Sequence, residues 1–175
     1  MTNYLSRPDA SEYATFYQAY IGPIADDNVL EMLNEQPAAL ESLRSLSDSG
    51  ATYRYEPHKW SVKEVIGHIT DSERIFAYRM LRIARGDQTP LAGFDQQPYV
   101  DIAHFDRLPM GSLLDSFRTA RTSTLSLVGE LDNDAWPRMG VASGVPVSAR
   151  ALAYIIAGHA THHIGILRDR YGLAV

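Results

Sequence analysis

The sequence has no cysteine among its 175 residues. That excludes thiolate zinc sites and a cysteine nucleophile of its own, and it fits a reducing compartment. It has no excess of positive charge: 16 Lys and Arg stand against 21 Asp and Glu, a net charge of -5. A basic footprint for nucleic acid is therefore missing. No apolar run approaches the ~20 residues of a membrane span. The stretch Met1 to Pro8 lacks the apolar core of a signal peptide. There is no internal repeat, no low-complexity tract and no alternating segment that reads as a strand. The expectation is a cytoplasmic protein with neither membrane nor nucleic acid as partner.

What is present is helical periodicity. A chain of this length fits one domain, residues 1–175, with residues 1–9 as an arm, and it buries enough surface to need no staples. Tyr13, Phe16, Tyr17 and Tyr20 recur at helical spacing, so Ser11 to Tyr20 reads as a short amphipathic helix whose rings pack down the N-terminus or meet a ligand. Gly22-Pro23 ends it. Asp27 or Asn28 can cap the next helix, whose stripe is Val29, Leu30, Leu33, Leu40, Leu43 and Leu46. Pro37 should kink that helix or start a second piece, and Ser47 to Gly50 should stop it.

Ser61 followed by Glu64 is a capping box, with Trp60 placed to staple onto Val65. The helix they open should run to about Arg85, before Gly86. Asp87 to Leu108, broken by Pro90, Gly93 and Pro98, reads as a long connector. A third long helix spans about 110–131, followed by a turn at Asp132 to Trp136 and a Gly/Pro-rich loop at Pro137 to Pro146. Ser148 can cap the last helix, which ends at Tyr171 before Gly172. Four such helices suit an all-α four-helix bundle with a short extra N-terminal helix.

Three of the six histidines lie in Gly158-His159-Ala160-Thr161-His162-His163-Ile164-Gly165. Residues four apart on a helix share a face, so His159 and His163 can reach one ion together. Taking His159 as zero, at about 100° per residue, His163 points to about +40° and His162 to about -60°. The apolar residues Leu152, Ile155, Ile156, Ile166 and Leu167 average about +20° on the same scale. His159 and His163 straddle that direction, and His162 falls at the edge. His68, beside the apolar stripe of the helix opened by Ser61, supplies a third imidazole. Three neutral imidazoles leave coordination positions open. They suit zinc, nickel, iron or copper rather than magnesium or calcium, and the sequence does not choose among the first four.

Position 160 is Ala, so the His-Glu-x-x-His base is absent. Asp71 can orient a histidine or a metal-bound water from outside, or it can belong to a solvated helix face. Ser123 and Thr124 are weaker candidates for lining a cavity. His58 and His104 stand apart from other histidines in expected loops.

The stretch Trp60 to Glu73, read with His159-Ala160-Thr161-His162-His163, resembles the DinB-like (damage-inducible) superfamily, which includes the bacillithiol and mycothiol S-transferases. The resemblance spans about residues 28–171. It implies an up-down-down-up bundle, a homodimer, and one divalent metal ion on three histidines, which here are His68, His159 and His163. It further implies a thiol co-substrate and a small electrophile, although no segment matches a particular thiol. A metal-dependent thiol S-transferase is the first reading. A non-catalytic metal-binding stress-response protein, or a metal-dependent hydrolase or isomerase, are the others.

Overall fold

The computed structural model describes residues 5–25 and 29–175. The segment from Ser11 to Tyr20 is not one helix. It forms 3₁₀ turns at Ala10–Glu12 and Thr15–Tyr17 and one helical turn, α1 (Gln18–Ile21). Asp9 and Glu12 close a capping box on the first turn, and Tyr13 then leaves in an extended conformation, which interrupts the helix. Tyr13 and Tyr17 are buried, while Phe16 is exposed. The described part of the expected arm is docked: Tyr154 Oη donates to the Leu5 carbonyl at 3.1 Å, and Arg150 Nη1 to Ser6 Oγ at 2.9 Å.

Pro37 stays inside α2 (Val29–Ala39). Its ring nitrogen cannot donate to the carbonyl of Leu33 four residues earlier. That carbonyl instead accepts from Arg121 Nη1 at 2.7 Å. The helix ends just beyond Pro37 and continues as a 3₁₀ turn, Glu41–Ser45. Ser47 to Gly50, expected to stop the helix, opens a further turn, α3 (Asp48–Ala51), because Ser47 Oγ accepts from the Gly50 amide. The expected caps Asp27 and Asn28 lie outside the described residues.

α4 (Val62–Ala84) starts on the capping box: Glu64 N donates to Ser61 Oγ at 3.1 Å, and Ser61 N to Glu64 Oε2 at 2.8 Å. Gly86, at φ +83°, follows its end. The long connector is not all loop. It holds α5 (Gln96–Ala103), capped by Asp95, and a 3₁₀ turn at Phe105–Arg107. Pro98 reads as a breaker, but it sits in the first helical turn, where backbone N–H groups have no helical acceptor to lose. α6 (Met110–Glu130) has the expected limits.

The stretch expected to be a loop without strands folds as an antiparallel hairpin, β1 (Met139–Ala142) and β2 (Val145–Ser148). Ser143 and Gly144 both have positive φ, +54° and +77°, as a two-residue type I′ turn requires. Leu91 pairs with the outer edge of β1. α7 (Ala149–Tyr171) is capped by Ser148 Oγ and closed by Gly172 in the left-handed region.

Contacts at the helix ends set the topology. Ser61 Oγ, before α4, bonds Asp106, before α6, at 2.5 Å, and Arg85 and Glu130 pair at their far ends at 3.2 Å. α4 and α6 therefore run parallel. Tyr171, at the end of α7, donates to the carbonyl of Trp60 at 2.5 Å, so α7 opposes α4. Glu41, past the end of α2, pairs with Arg118 near the start of α6 at 2.6 Å, and Ser42 Oγ reaches the Ala174 carbonyl at 2.8 Å. The order is up-down-down-up. α2 packs on α6 and α7, and so does α4, which puts the consecutive helices α2 and α4 on a diagonal.

The apolar core has two parts. One gathers Ile21, Leu33, Met80, Ile83, Leu152 and Ile155, the other Leu40, Val65, Ile66, Leu113, Phe117 and Leu167. A buried polar belt, with a member from each long helix, crosses between them. Arg121 Nε and Nη2 donate to both carboxylate oxygens of Glu73 at 2.7 and 2.9 Å. Arg121 Nη1 also reaches Gln36 Oε1 at 2.7 Å. Gln36 Nε2 in turn donates to the Ala157 carbonyl and to Thr161 Oγ1, both at 2.8 Å. A buried ion pair offsets its desolvation only with such additional hydrogen bonds.

Candidate metal centre

The histidine cluster lies where the polar belt and the two halves of the core meet. Antiparallel packing brings His68 of α4 against His159 and His163 of α7. The ring centroids are 4.9 Å apart for His68 and His159, 4.8 Å for His68 and His163, and 4.6 Å for His159 and His163. One ring nitrogen from each lies within 4.8 Å of the others. His68 Nε2 and His159 Nε2 are 3.0 Å apart. All three rings are buried, and Nδ1 of His163 has no hydrogen-bond partner.

Aromatic rings wall the cluster. Trp60 lies 4.6 Å from His68, Tyr20 5.4 Å from His159, and Phe76 5.8 Å from His159. Burial in these surroundings disfavours the imidazolium form. It pushes the pKa of His68 down to about 4 and that of His163 to about 3, and holds His159 well below its ordinary value; neighbouring histidines lower the last two further. At neutral pH the three rings are uncharged and keep their lone pairs.

This donor set fits a transition metal ion. Two nitrogens at ~2.0–2.1 Å from one tetrahedral ion are about 3.3 Å apart, close to the separation of the His68 and His159 nitrogens. A buried, unpartnered His163 Nδ1 is costly unless something accepts its lone pair or its proton. Three imidazoles without a thiolate or carboxylate leave at least one position open for a reacting group.

The structure brings together the three histidines singled out from the sequence and leaves the others out. His162 is exposed on the edge of α7, its ring 5.6 Å from Tyr20. His58 and His104 are loop residues with positive φ. Asp71 Oδ1 accepts from Arg74 Nη1 at 3.0 Å, and among the described residues no hydrogen bond joins it to a histidine. Ser123 and Thr124 line a surface groove between α4 and α6, with Arg74 and Tyr78, and not the histidine cluster.

Two clefts reach the cluster from different sides. One, of about 260 Å³, runs past Trp60, Tyr55 and Tyr171 to His163. The other, of about 440 Å³, is walled by Phe16, Tyr17, Tyr20, Phe76 and Phe94 and reaches His159. Among the polar members of the second cleft, sequence reading missed Ser72 and Arg79. The signal was present: Ser72, Phe76 and Arg79 follow His68 by 4, 8 and 11 residues, which continues its face of α4.

The bundle, in up-down-down-up order, thus carries three uncharged imidazoles in its middle with two clefts leading to them, a donor set that fits a metal ion. The model of the DinB superfamily matches residues 32–167, and the chain belongs to that superfamily. Among solved structures it is similar to YfiT from Bacillus subtilis, described as a probable metal-dependent hydrolase with an unusual four-helix bundle topology. That likeness has a TM-score of 0.74 at 20% identity and covers 96% of this chain and 98% of that one. At such identity it is a likeness of fold. No curated protein matches the chain.

Proposed function

We propose that His68, His159 and His163 hold one divalent transition metal ion, zinc or nickel, and that the protein is a metal-dependent thiol S-transferase acting on small electrophiles. The observation that carries this reading is the pair of clefts. A two-substrate transfer needs separate approaches to one centre, and the cleft ending at His163 and the cleft ending at His159 supply them. A bound divalent cation would lower the pKa of a thiol at the site and so raise the share of its nucleophilic thiolate. In the transfer the thiol's proton passes to solvent, its sulfur forms a C–S bond with the electrophile, and the bond from that carbon to the leaving group breaks, the leaving group keeping the electron pair. The protein's part is to exclude water with Trp60, Tyr20 and Phe76 and to keep the imidazoles uncharged.

Hydrolysis is the second reading, favoured by the description of YfiT. Against it, no carboxylate of the described residues hydrogen-bonds to the three histidines. Glu73 is committed to Arg121, and Asp71 to Arg74. A thiol, far more acidic than water, needs less help from a base. The test is elemental analysis of protein purified without chelator, then consumption of 1-chloro-2,4-dinitrobenzene with and without a panel of low-molecular-weight thiols. Thiol-dependent turnover that disappears on metal removal is expected. Equal turnover without any thiol would favour the hydrolase, and protein that takes up no metal would sink both readings.

Homodimerisation belongs to the same proposal, on the family resemblance and on the exposed ring of Phe16 in the N-terminal segment. Sedimentation should find twice the 19.5 kDa chain mass; a monomer at tens of micromolar counts against it. The cysteine-free composition supports a cytoplasmic location, and among the described residues no helix is long and apolar enough to cross a membrane.

A further inference from the structure

Arg79 is a buried cation without a counter-ion. Only 2% of it is exposed, and it stands between the cleft that ends at His159 and a neighbouring groove along Thr89 to Phe94, lining both. Its bonds are to neutral groups: Nη2 donates to the Ala92 carbonyl at 2.7 Å and to Ser143 Oγ at 3.0 Å. Among the described residues it forms no ion pair, both of its hydrogen bonds run through Nη2, and its Nη1 and Nε are not among the buried atoms left without a partner, so solvent in the cleft reaches them. The rings of Phe76 and Phe94 lie 5.8 and 5.7 Å from its guanidinium carbon, which gives the cation partial compensation. Asp95 also lines the cleft, but its carboxylate is used as the cap of α5, accepting from the Gln97 amide at 3.1 Å. Burying an unpaired charge is costly, so a site that keeps one has a use for it.

A second observation points into the same cleft. Ser72 lies one turn from His68 on α4, is 1% exposed, and its Oγ has no hydrogen-bond partner. A serine within a helix usually bonds back to a carbonyl of the preceding turn, and this hydroxyl does not. Between Ser72 and Arg79 the wall is aromatic.

We propose that this cleft binds a small organic anion, an aromatic or otherwise apolar body bearing a carboxylate, with Arg79 pairing the carboxylate, Ser72 Oγ donating to the ligand, and the apolar body between Phe76, Phe94 and Tyr17. This assigns the electrophile its chemical class and rests on the reading of the histidine cluster as the reactive centre. Arg79 is the specificity-determining residue: a neutral analogue leaves its charge unpaired, and an anion neutralises it.

The test compares benzoate with benzamide, which match in size and differ in charge, on chelator-treated protein, so that no metal ion can bind the carboxylate. Calorimetry or saturation-transfer NMR reads the affinity. Benzoate should bind at least about tenfold more tightly than benzamide, the scale of one charge-assisted hydrogen bond. Arg79→Met should remove that preference, Arg79→Lys should keep part of it, and Ser72→Ala should weaken benzoate a few-fold. Circular dichroism checks that each variant is folded, and the wild-type contrast needs no variant. Equal binding of the two probes, no benzoate binding at tens of millimolar, or a preference that survives in folded Arg79→Met would overturn the proposal. Because metal is absent throughout, these outcomes are separate from a failure of the protein to bind metal.

Discussion

Arg121 Nη1 donates to the Leu33 carbonyl at 2.7 Å, the acceptor that Pro37 leaves without its helical partner. One guanidinium thus repairs a break in α2, neutralises Glu73 on α4 and orients Gln36, which bonds α7 on either side of His159. Replacing Arg121 with Leu leaves a buried, unpaired Glu73 and an orphan carbonyl. The expected loss of stability is about 3–5 kcal/mol. Urea denaturation measures it. Replacing Glu73 with Leu in the same chain should recover part of the loss, since no unpaired charge then remains. A loss below about 1 kcal/mol for the single variant would mean that water reaches the carboxylate and that the belt is not sealed.

Metal affinity should separate the two adjacent histidines. His163→Ala, His159→Ala and His68→Ala each remove one of the clustered nitrogens. Each loss should exceed the ~10–100-fold that follows removal of an outer hydrogen-bond partner. His162→Ala takes away an exposed ring and should keep full occupancy. The assignment is falsified if the His162 variant loses metal while the His163 variant retains it.

The metal-free protein should weaken in acid. The three imidazoles have folded pKa values below the unfolded value of about 6.5, with His68 at about 4 and His163 at about 3. Below about pH 6.5 the unfolded chain therefore binds more protons than the folded one. Their contribution is whole above that pH and is lost as the pH falls toward 4 and then 3. Each group adds a slope of at most about 1.4 kcal/mol per pH unit. Urea midpoints at pH 7, 5.5 and 4.5 measure the total, and His68→Gln should flatten the slope. A metal-free stability that does not change between pH 7 and 5 would mean that the rings are not held uncharged by burial.

What the sequence disclosed and what it hid divide along a physical line. Caps were legible because they depend on residues a few positions apart: Ser61 with Glu64, Ser148 with Ala151, and the left-handed Gly172. That His163 faces inward and His162 outward was legible because one helix fixes their angle. The hairpin was hidden. Its turn is Ser143-Gly144 rather than Asn-Gly, and its edge is completed by Leu91, about fifty residues away in the chain. α5 was hidden because Pro98 reads as a break until its place in the first turn is known. Arg79 and Ser72 were hidden because the partners of a charge or a hydroxyl on a helix are decided only when the chain folds: Arg79 meets neutral groups and no counter-ion, and Ser72 Oγ meets nothing.

Gly158 precedes His159, and a close approach depends on it. A Cβ there would lie 2.1 Å from the Tyr20 carbonyl oxygen and 2.6 Å from its carbon. Both are backbone atoms, so no rotamer change relieves the contact, and the N-terminal segment must move off α7. Two effects oppose each other in Gly158→Ala. Helix propensity favours Ala by about 1 kcal/mol, and forcing atoms into a packed interface costs typically 1–3 kcal/mol. An overlap with fixed backbone belongs at the upper end of that range, so net destabilisation of about 1–2 kcal/mol is expected, a fall of very roughly 2–8 °C in Tm. The displaced segment carries Tyr17 and Tyr20, which wall the cleft at His159. The variant should therefore also be cut faster by protease before Ile21, while α4 and α7 still hold their histidines together and bind metal. A Gly158→Ala protein as stable as the wild type, with its N-terminal segment equally protected, would show that the segment can shift away from α7 at no cost and that Tyr20 is not a fixed wall of the cleft.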